Sequence, residues 1–90
     1  MLELIHRYHT HIRTPDGLLY IARTVANNTD DGRWEAWLEF EPVDQDAPTL
    51  TTDRETSQST RRAVEVWASG LEDTYLEGAF ARAHLLTARR

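Results

Sequence analysis

The sequence predicts an α+β domain, in which an antiparallel meander of three or four β-strands is followed by two C-terminal α-helices packed on one face of the sheet. Apolar and polar residues alternate in the first half of the chain, which is typical of half-buried strands. After residue 60 the apolar residues recur at helical spacing, and strands first with helices last are characteristic of the α+β class. Because the chain has 90 residues and no sign of a linker, we expect a single domain over residues 1–90.

The first two strands are predicted over residues 2–12 and 18–26, with a tight turn between them. The turn has the sequence Thr-Pro-Asp-Gly at residues 14–17. Pro15 presets the φ angle of the first corner, and Gly17 accepts the left-handed conformation that closes the turn. A hairpin is therefore expected at the start of the chain.

The length of this hairpin loop decides which residues face each other across the two strands. A three-residue loop places His11 opposite Ile21, whereas a two-residue loop places His11 opposite Tyr20. A slip of one residue would move every side chain of a strand to the other face of the sheet. The Pro-Asp-Gly sequence favours the longer loop, and the sequence leaves both registers open.

The third strand, predicted over residues 34–41, follows the polar loop Asn-Asn-Thr-Asp-Asp-Gly and has the most regular alternation in the chain. A short fourth strand is expected around Leu50, within residues 49–52. Strict alternation places one set of side chains in the core and the other set in solvent. The core set is predicted to be Trp34, Ala36, Leu38 and Phe40, and the solvent set Glu35, Trp37, Glu39 and Glu41.

Two apolar stripes predict the helices, and the second stripe extends to Leu86. Ser57 or Ser59 is the expected N-cap of the first helix, and Gly70 its left-handed C-cap. Gly78 lies within the second helix, where glycine costs about 1 kcal/mol relative to alanine, so we expect a neighbouring element to approach closely there. The core is predicted to include Leu4, Trp34, Leu38, Phe40, Val64, Trp67, Leu71, Leu76, Phe80 and Ala83.

The acidic residues are concentrated in the middle of the chain. The formal net charge is −5, and residues 34–60 contain Arg54 as their single basic residue. A nucleic-acid-binding domain needs a basic surface that neutralises phosphates, so we expect no nucleic-acid partner. The chain has no cysteine, and its first residues lack the apolar run of a signal peptide or a membrane span. We therefore expect a soluble cytoplasmic protein with no membrane partner.

One block of the sequence, residues 52–83, suggests a family comparison. Its elements are Thr52-Asp53-Arg54-Glu55-Thr56 with Gln58, then Trp67-Ala68, Gly70-Leu71 and Tyr75-Leu76-Glu77-Gly78-Ala79. The block resembles one in short uncharacterised bacterial proteins, covers roughly a third of the chain and implies no particular activity. The order of a meander followed by helices also resembles the HicB-like antitoxin fold in architecture, although this chain lacks that family's glycine-rich strand ends.

Three histidines, His6, His9 and His11, lie close together on the first predicted strand. Residues at i and i+2 of a strand project from one face, and imidazole is a good ligand for zinc or iron. A metal centre needs further ligands, however, and His84 lies far along the chain. We expect no metal and no other cofactor, and the alternative is a metal or small-ligand site at His9 and His11.

No motif in the sequence indicates catalysis. Asp53 and Glu55 flank Arg54 at a predicted strand-to-helix junction, where acids commonly stabilise helix N-termini. Thr52 and Glu55 also have the spacing of a capping box, whereas catalytic carboxylates need a cleft that separates their pKa values. The hydroxyl groups at residues 57–60 lack the pattern of a nucleophile elbow. We therefore expect no catalytic residues and no enzyme activity.

Trp37 is the predicted binding residue, because it is a large aromatic on a strand face that it shares with Glu35, Glu39 and Glu41. Aromatic residues on polar surfaces are enriched at protein interfaces, although arginine side chains from neighbouring strands would be an alternative cover for the ring. We expect a small non-catalytic protein-interaction module that binds a protein partner or forms a homodimer, with the Trp37 face of the sheet or the second helix as its contact surface. The alternatives are metal or small-ligand binding by the strand histidines and nucleic-acid binding by the sheet.

Overall fold

The computed structural model describes residues 1–44 and 46–85 and confirms the α+β class. The antiparallel meander consists of β1 (Leu2–Arg13), β2 (Leu19–Asn28) and β3 (Trp34–Pro42). Short strands β4 (Leu50–Thr51), β5 (Thr56–Gln58) and β6 (His84–Leu85) extend the sheet within the described residues, and only β4 was predicted. The helices are α1 (Arg61–Ser69) and α2 (Asp73–Arg82).

The β1–β2 hairpin has the longer of the two loops that the sequence allows. His11 lies opposite Ile21, as the three-residue loop requires. The N–H group of Thr14 donates to the carbonyl oxygen of Leu18 at 2.8 Å, and Gly17 has a φ of 92°. The positive φ explains why glycine occupies the last position of the turn.

The β2–β3 hairpin is closed by the same kind of turn, at the sequence Thr-Asp-Asp-Gly of residues 29–32. The N–H group of Thr29 donates to the carbonyl oxygen of Arg33 at 2.8 Å, and Gly32 has a φ of 86°. The Thr29 hydroxyl donates to the carboxylate of Asp31. This segment was predicted only as a polar loop, although the shared Thr-x-Asp-Gly pattern was a usable signal.

Strands β4 and β5 both pair with β3 along the edge that β2 leaves free. Residues 53–54 loop out between them, while the flanking residues stay bonded to β3. The N–H group of Leu38 donates to the hydroxyl oxygen of Thr52 at 3.0 Å, and the N–H group of Glu55 donates to the carbonyl oxygen of Ala36 at 2.8 Å. The prediction that Asp53 and Glu55 stabilise a helix N-terminus is wrong, because β5 separates both residues from the start of α1.

Both helices pack on one side of the sheet, here called the inner face. The larger core cluster lies below α2, where the Phe80 ring centroid is 5.1 Å from that of Tyr20 and 5.2 Å from that of Phe40. The smaller cluster lies below α1 and joins Val64 and Trp67 to the sheet. Its other members are Ile5, Ala26, Trp34 and Ala36. The Trp67 side chain therefore packs on the inner face, the face that also presents Leu38 and Phe40, and its neighbours there are those of the smaller cluster.

A buried pair of hydrogen bonds connects α1 to the first two strands. The Tyr8 hydroxyl donates to the carbonyl oxygen of Ala68 at 2.9 Å, and it lies 2.7 Å from the hydroxyl oxygen of Thr24. Since the phenol has one proton, Thr24 is the donor in the second bond. Burial raises the pKa of Tyr8, and the hydrogen bond from Thr24 opposes only part of that rise.

One predicted core residue, Leu4, is on the wrong side of the sheet. The pairing of β1 with β2 shifts between Leu4 and His6, which leaves Ile5 as an extra residue. A bulge of one residue reverses the alternation of a strand, so Ile5 joins the inner cluster and Leu4 lies on the opposite face. The Leu4 side chain is consequently 47% exposed.

The helix ends also differ from the predictions. Thr60, not a serine, is the N-cap of α1, and Gly70 at its C-cap has an ordinary φ of −94°. Helix α2 ends at Arg82 because the chain then forms β6, and Leu86 lies outside the described residues. A Cβ added at Gly78 would be 3.6 Å from the Arg82 side chain, so no tight approach explains this glycine among the described residues. Neither α1 nor α2 has the length and apolar character that crossing a membrane requires.

Candidate interaction surface on the outer face of the sheet

The predicted binding residues all lie on one surface, the face of the sheet opposite the helices, here called the outer face. Along β3, buried Ala36, Leu38 and Phe40 face the helices. The alternate residues therefore lie on the outer face, where neither α1 nor α2 covers them. They are Glu35, Trp37, Glu39 and Glu41.

Trp37 belongs to a line of three apolar side chains that crosses β1, β2 and β3. These residues, Leu4, Val25 and Trp37, are here called the apolar row. The neighbour of Trp37 on β2 is Val25, and the neighbour of Val25 on β1 is Leu4. Val25 is only 7% exposed although it belongs to neither helix-facing cluster, so its cross-strand neighbours bury it. Trp37 is half-buried, and the row is open at its β1 end, where Leu4 and Leu2 are exposed. Sequence reasoning identified Trp37 but missed the row, because the row depends on the bulge.

An arginine on the middle strand binds two of the predicted glutamates. The guanidinium of Arg23 lies 2.8 Å from a carboxylate oxygen of Glu39 and 2.9 Å from one of Glu41. Burial alone would lower the pKa of Arg23. The hydrogen bonds to both glutamates and their negative charges outweigh this effect, so the pKa of Arg23 lies above its ordinary value. The Trp37 indole N–H donates to the other oxygen of Glu39 at 3.2 Å. This network fixes the orientation of the ring, and no arginine of the described residues lies over it.

Strand β1 brings a row of basic side chains to the same face. Arg7 lies opposite Arg23, and His11 lies opposite Ile21. The exposed members of this basic row are Arg7, His9, His11 and Arg13. None of them has an ion-pair partner in residues 1–44 or 46–85. The outer face is thus polarised, with unpaired basic groups on β1 and carboxylates on β3.

The structure separates the three histidines of β1. The His6 ring lies on the inner side, 4.6 Å from the Tyr8 ring, and lines a shallow depression beside Glu65 of α1. His9 and His11 are exposed on the outer face. Within the described part of the chain, no group of three or more histidine, aspartate and glutamate residues is close enough to hold a metal ion. A metal site at His9 and His11 would therefore have only these two protein ligands among the described residues.

Outside the outer face, a group of polar side chains connects α2 to the segment before β5. The hydroxyl of Tyr75 donates to Glu55 Oε1 at 2.5 Å, and Arg82 Nη2 donates to the same oxygen at 2.7 Å. Burial alone would raise the pKa of Glu55, but the bonds from Arg82 and Tyr75 lower it below its ordinary value. Burial and the bond to Glu55 raise the pKa of Tyr75 to about 12. A phenol with a pKa of about 12 stays protonated near neutral pH, so it donates its hydrogen bond to Glu55 there and does not serve as a general base.

Comparison with known proteins gives no independent assignment. No protein-family model, no curated protein and no solved structure matches this chain. The resemblance of residues 52–83 to short bacterial proteins and the looser HicB-like resemblance both stay predictions. Function must therefore be inferred from the geometry and the charges of the outer face.

Proposed function

We propose that this chain is a small non-catalytic protein-interaction module of the bacterial cytoplasm, with the outer face around Trp37 as its contact surface. The observation that carries the proposal is the apolar row, which lies opposite the helices and is open at Leu4. A half-exposed aromatic surrounded by charged groups has the composition of a protein interface, where an apolar centre is bordered by a polar rim.

The hydrogen bonds of Trp37 support this proposal energetically. Binding costs free energy when flexible side chains must be ordered, at about 0.5–1.5 kcal/mol for each one. The Trp37 indole is already held by Glu39, and Glu39 is held by Arg23. The ring is thus oriented before a partner arrives, and the cost of ordering it has been met during folding.

Affinity capture with matched variants tests the proposal. We expect a protein ligand that the wild type retains to be lost by Trp37→Ala and by Leu4→Ser. Val66 is 59% exposed on α1, away from the outer face, so Val66→Ser is the matched control and should retain the ligand. Retention by all the variants, or loss by Val66→Ser alone, would place the contact surface elsewhere.

The absence of a nucleic-acid partner is also part of the proposal, and the basic row on β1 makes its test necessary. The basic row contributes Arg7 and Arg13, but the glutamates of β3 lie on the same face and repel phosphates. We expect no measurable binding of duplex DNA or RNA near physiological salt in a filter-binding assay. Tight, salt-sensitive retention would favour the nucleic-acid alternative.

A further inference from the structure

We infer that the partner of the outer face is a second copy of this chain, bound face to face about a two-fold axis parallel to β2. The inference rests on the proposed function of the outer face and names its partner. It follows from the positions of two rows of opposite charge: the basic row on β1 and the carboxylates on β3 lie on either side of β2, on the same face.

A two-fold axis that runs parallel to the strands, between two facing sheets, exchanges the two sides of the sheet. Strand β1 of one copy then lies over β3 of the other, and β2 lies over β2. Arg7 and His11 face Glu39 and Glu41 of the second copy, because these pairs occupy the same rows across the sheet. Facing sheets pack about 10 Å apart, a distance that a facing arginine and glutamate bridge together.

The same axis leaves the position along the strands unchanged, so the apolar row meets itself. Leu4 of one copy faces Trp37 of the other, and Val25 faces Val25. Arg23 also faces Arg23, and each of these guanidinium groups is already offset by Glu39 and Glu41 of its own chain. The exposed end of the row in each copy is thereby covered by the half-buried tryptophan of the other. An isologous contact of this kind uses one surface patch twice, as most soluble homodimers do.

Other arrangements of two copies are disfavoured by the same charges. An axis across the strands would place β1 over β1 and β3 over β3, so groups of like charge would face each other. Pairing of the free β1 edges would extend the sheet, but β1 carries register shifts at Leu4/His6 and between Arg7 and His11. Bulges and exposed charges are the features that prevent edge-to-edge pairing. The face-to-face arrangement therefore fits the structure best.

Charge-reversal variants test the inference by sedimentation velocity. One variant, Arg7→Glu/Arg13→Glu, makes both rows acidic, and the other, Glu39→Arg/Glu41→Arg, replaces the two carboxylates that face β1 and makes both rows basic. We expect the wild type to dimerise as its concentration rises and each variant alone to be monomeric, since each then faces its own charge. An equimolar mixture of the two variants should form a heterodimer, because both contacts between unlike chains are attractive. Arg62→Glu, a charge change on an α1 side chain that is 82% exposed, is the control and should still dimerise.

Circular dichroism establishes that each variant is folded, and Leu4→Ser, at an exposed position, is a further variant that should be monomeric. A wild type that stays monomeric at every concentration overturns the inference. In that case, a different protein captured by the wild type and lost by Trp37→Ala leaves the proposed function intact. A dimer that neither the charge variants nor Leu4→Ser weakens overturns both.

Discussion

Tyr75 shows how single residues hold α2 in place. Its phenol shares Glu55 Oε1 with Arg82, whose guanidinium carbon also lies 5.8 Å from the centre of the Tyr75 ring. The Trp67 ring packs edge-on against the same tyrosine, at 6.3 Å between centroids. One phenol thus connects both helices to the segment before β5, and no motif in the sequence indicated the contact because its members are 20 and 27 residues apart.

This contact predicts a loss of stability in alkali. The pKa of Tyr75 is raised from 10.0 to about 12 by burial, by its bond to Glu55 and by the charge of Glu55. The stabilising contribution is therefore complete below pH 10.0 and is lost as the pH rises towards about 12. We expect the thermal midpoint to fall less steeply over this range in Tyr75→Phe than in the wild type. Equal slopes for the two proteins would contradict the account.

At the scale of the elements, the hairpins were predicted better than the helix ends and the short strands. Strict alternation identified β3, and the Pro-Asp-Gly turn favoured the β1–β2 register that the structure has, although the sequence left both registers open. The bulge at Ile5 was not predictable, since the inner cluster decides that Ile5 faces inwards. Strands β5 and β6 were not predicted for a similar reason. Segments of three and two residues form strands here only because β3 and β4 offer them unpaired backbone groups.

The start of α1 predicts a measurable difference between neighbouring hydroxyl groups. From the sequence, Ser57 or Ser59 was expected as the N-cap of α1. The N-cap is instead Thr60, whose hydroxyl oxygen accepts a hydrogen bond from the N–H group of Ala63 at 3.0 Å. Loss of an N-cap costs about 0.5–2 kcal/mol, so Thr60→Ala should lower the free energy of unfolding by that amount in urea denaturation. Ser59→Ala is the matched control and should have a smaller effect. The reverse order would mean that α1 begins elsewhere.

At the scale of the whole molecule, the two faces of the sheet have different roles. The inner face binds the helices through the two core clusters, and the outer face combines the apolar row with charges of both signs. The sequence predicted that Trp37 and its glutamates share a face. It did not predict that Arg23 offsets two of those glutamates, because an arginine on another strand is placed beside them only by the register. The outer face is therefore not uniformly acidic, as the composition suggested, but has basic groups on β1 and carboxylates on β3.

The most direct test of this account is to follow the three indole N–H signals in nitrogen–proton correlation spectra as the chain concentration rises. Trp67 belongs to α1, and Trp34 packs in the same inner cluster, so both serve as internal references, and Trp37→Phe assigns the third signal. We predict that the Trp37 signal shifts with concentration while the signals of Trp34 and Trp67 stay in place. A Trp37 signal that does not move, or a shift confined to Trp34 and Trp67, would contradict a contact between two copies through the outer face.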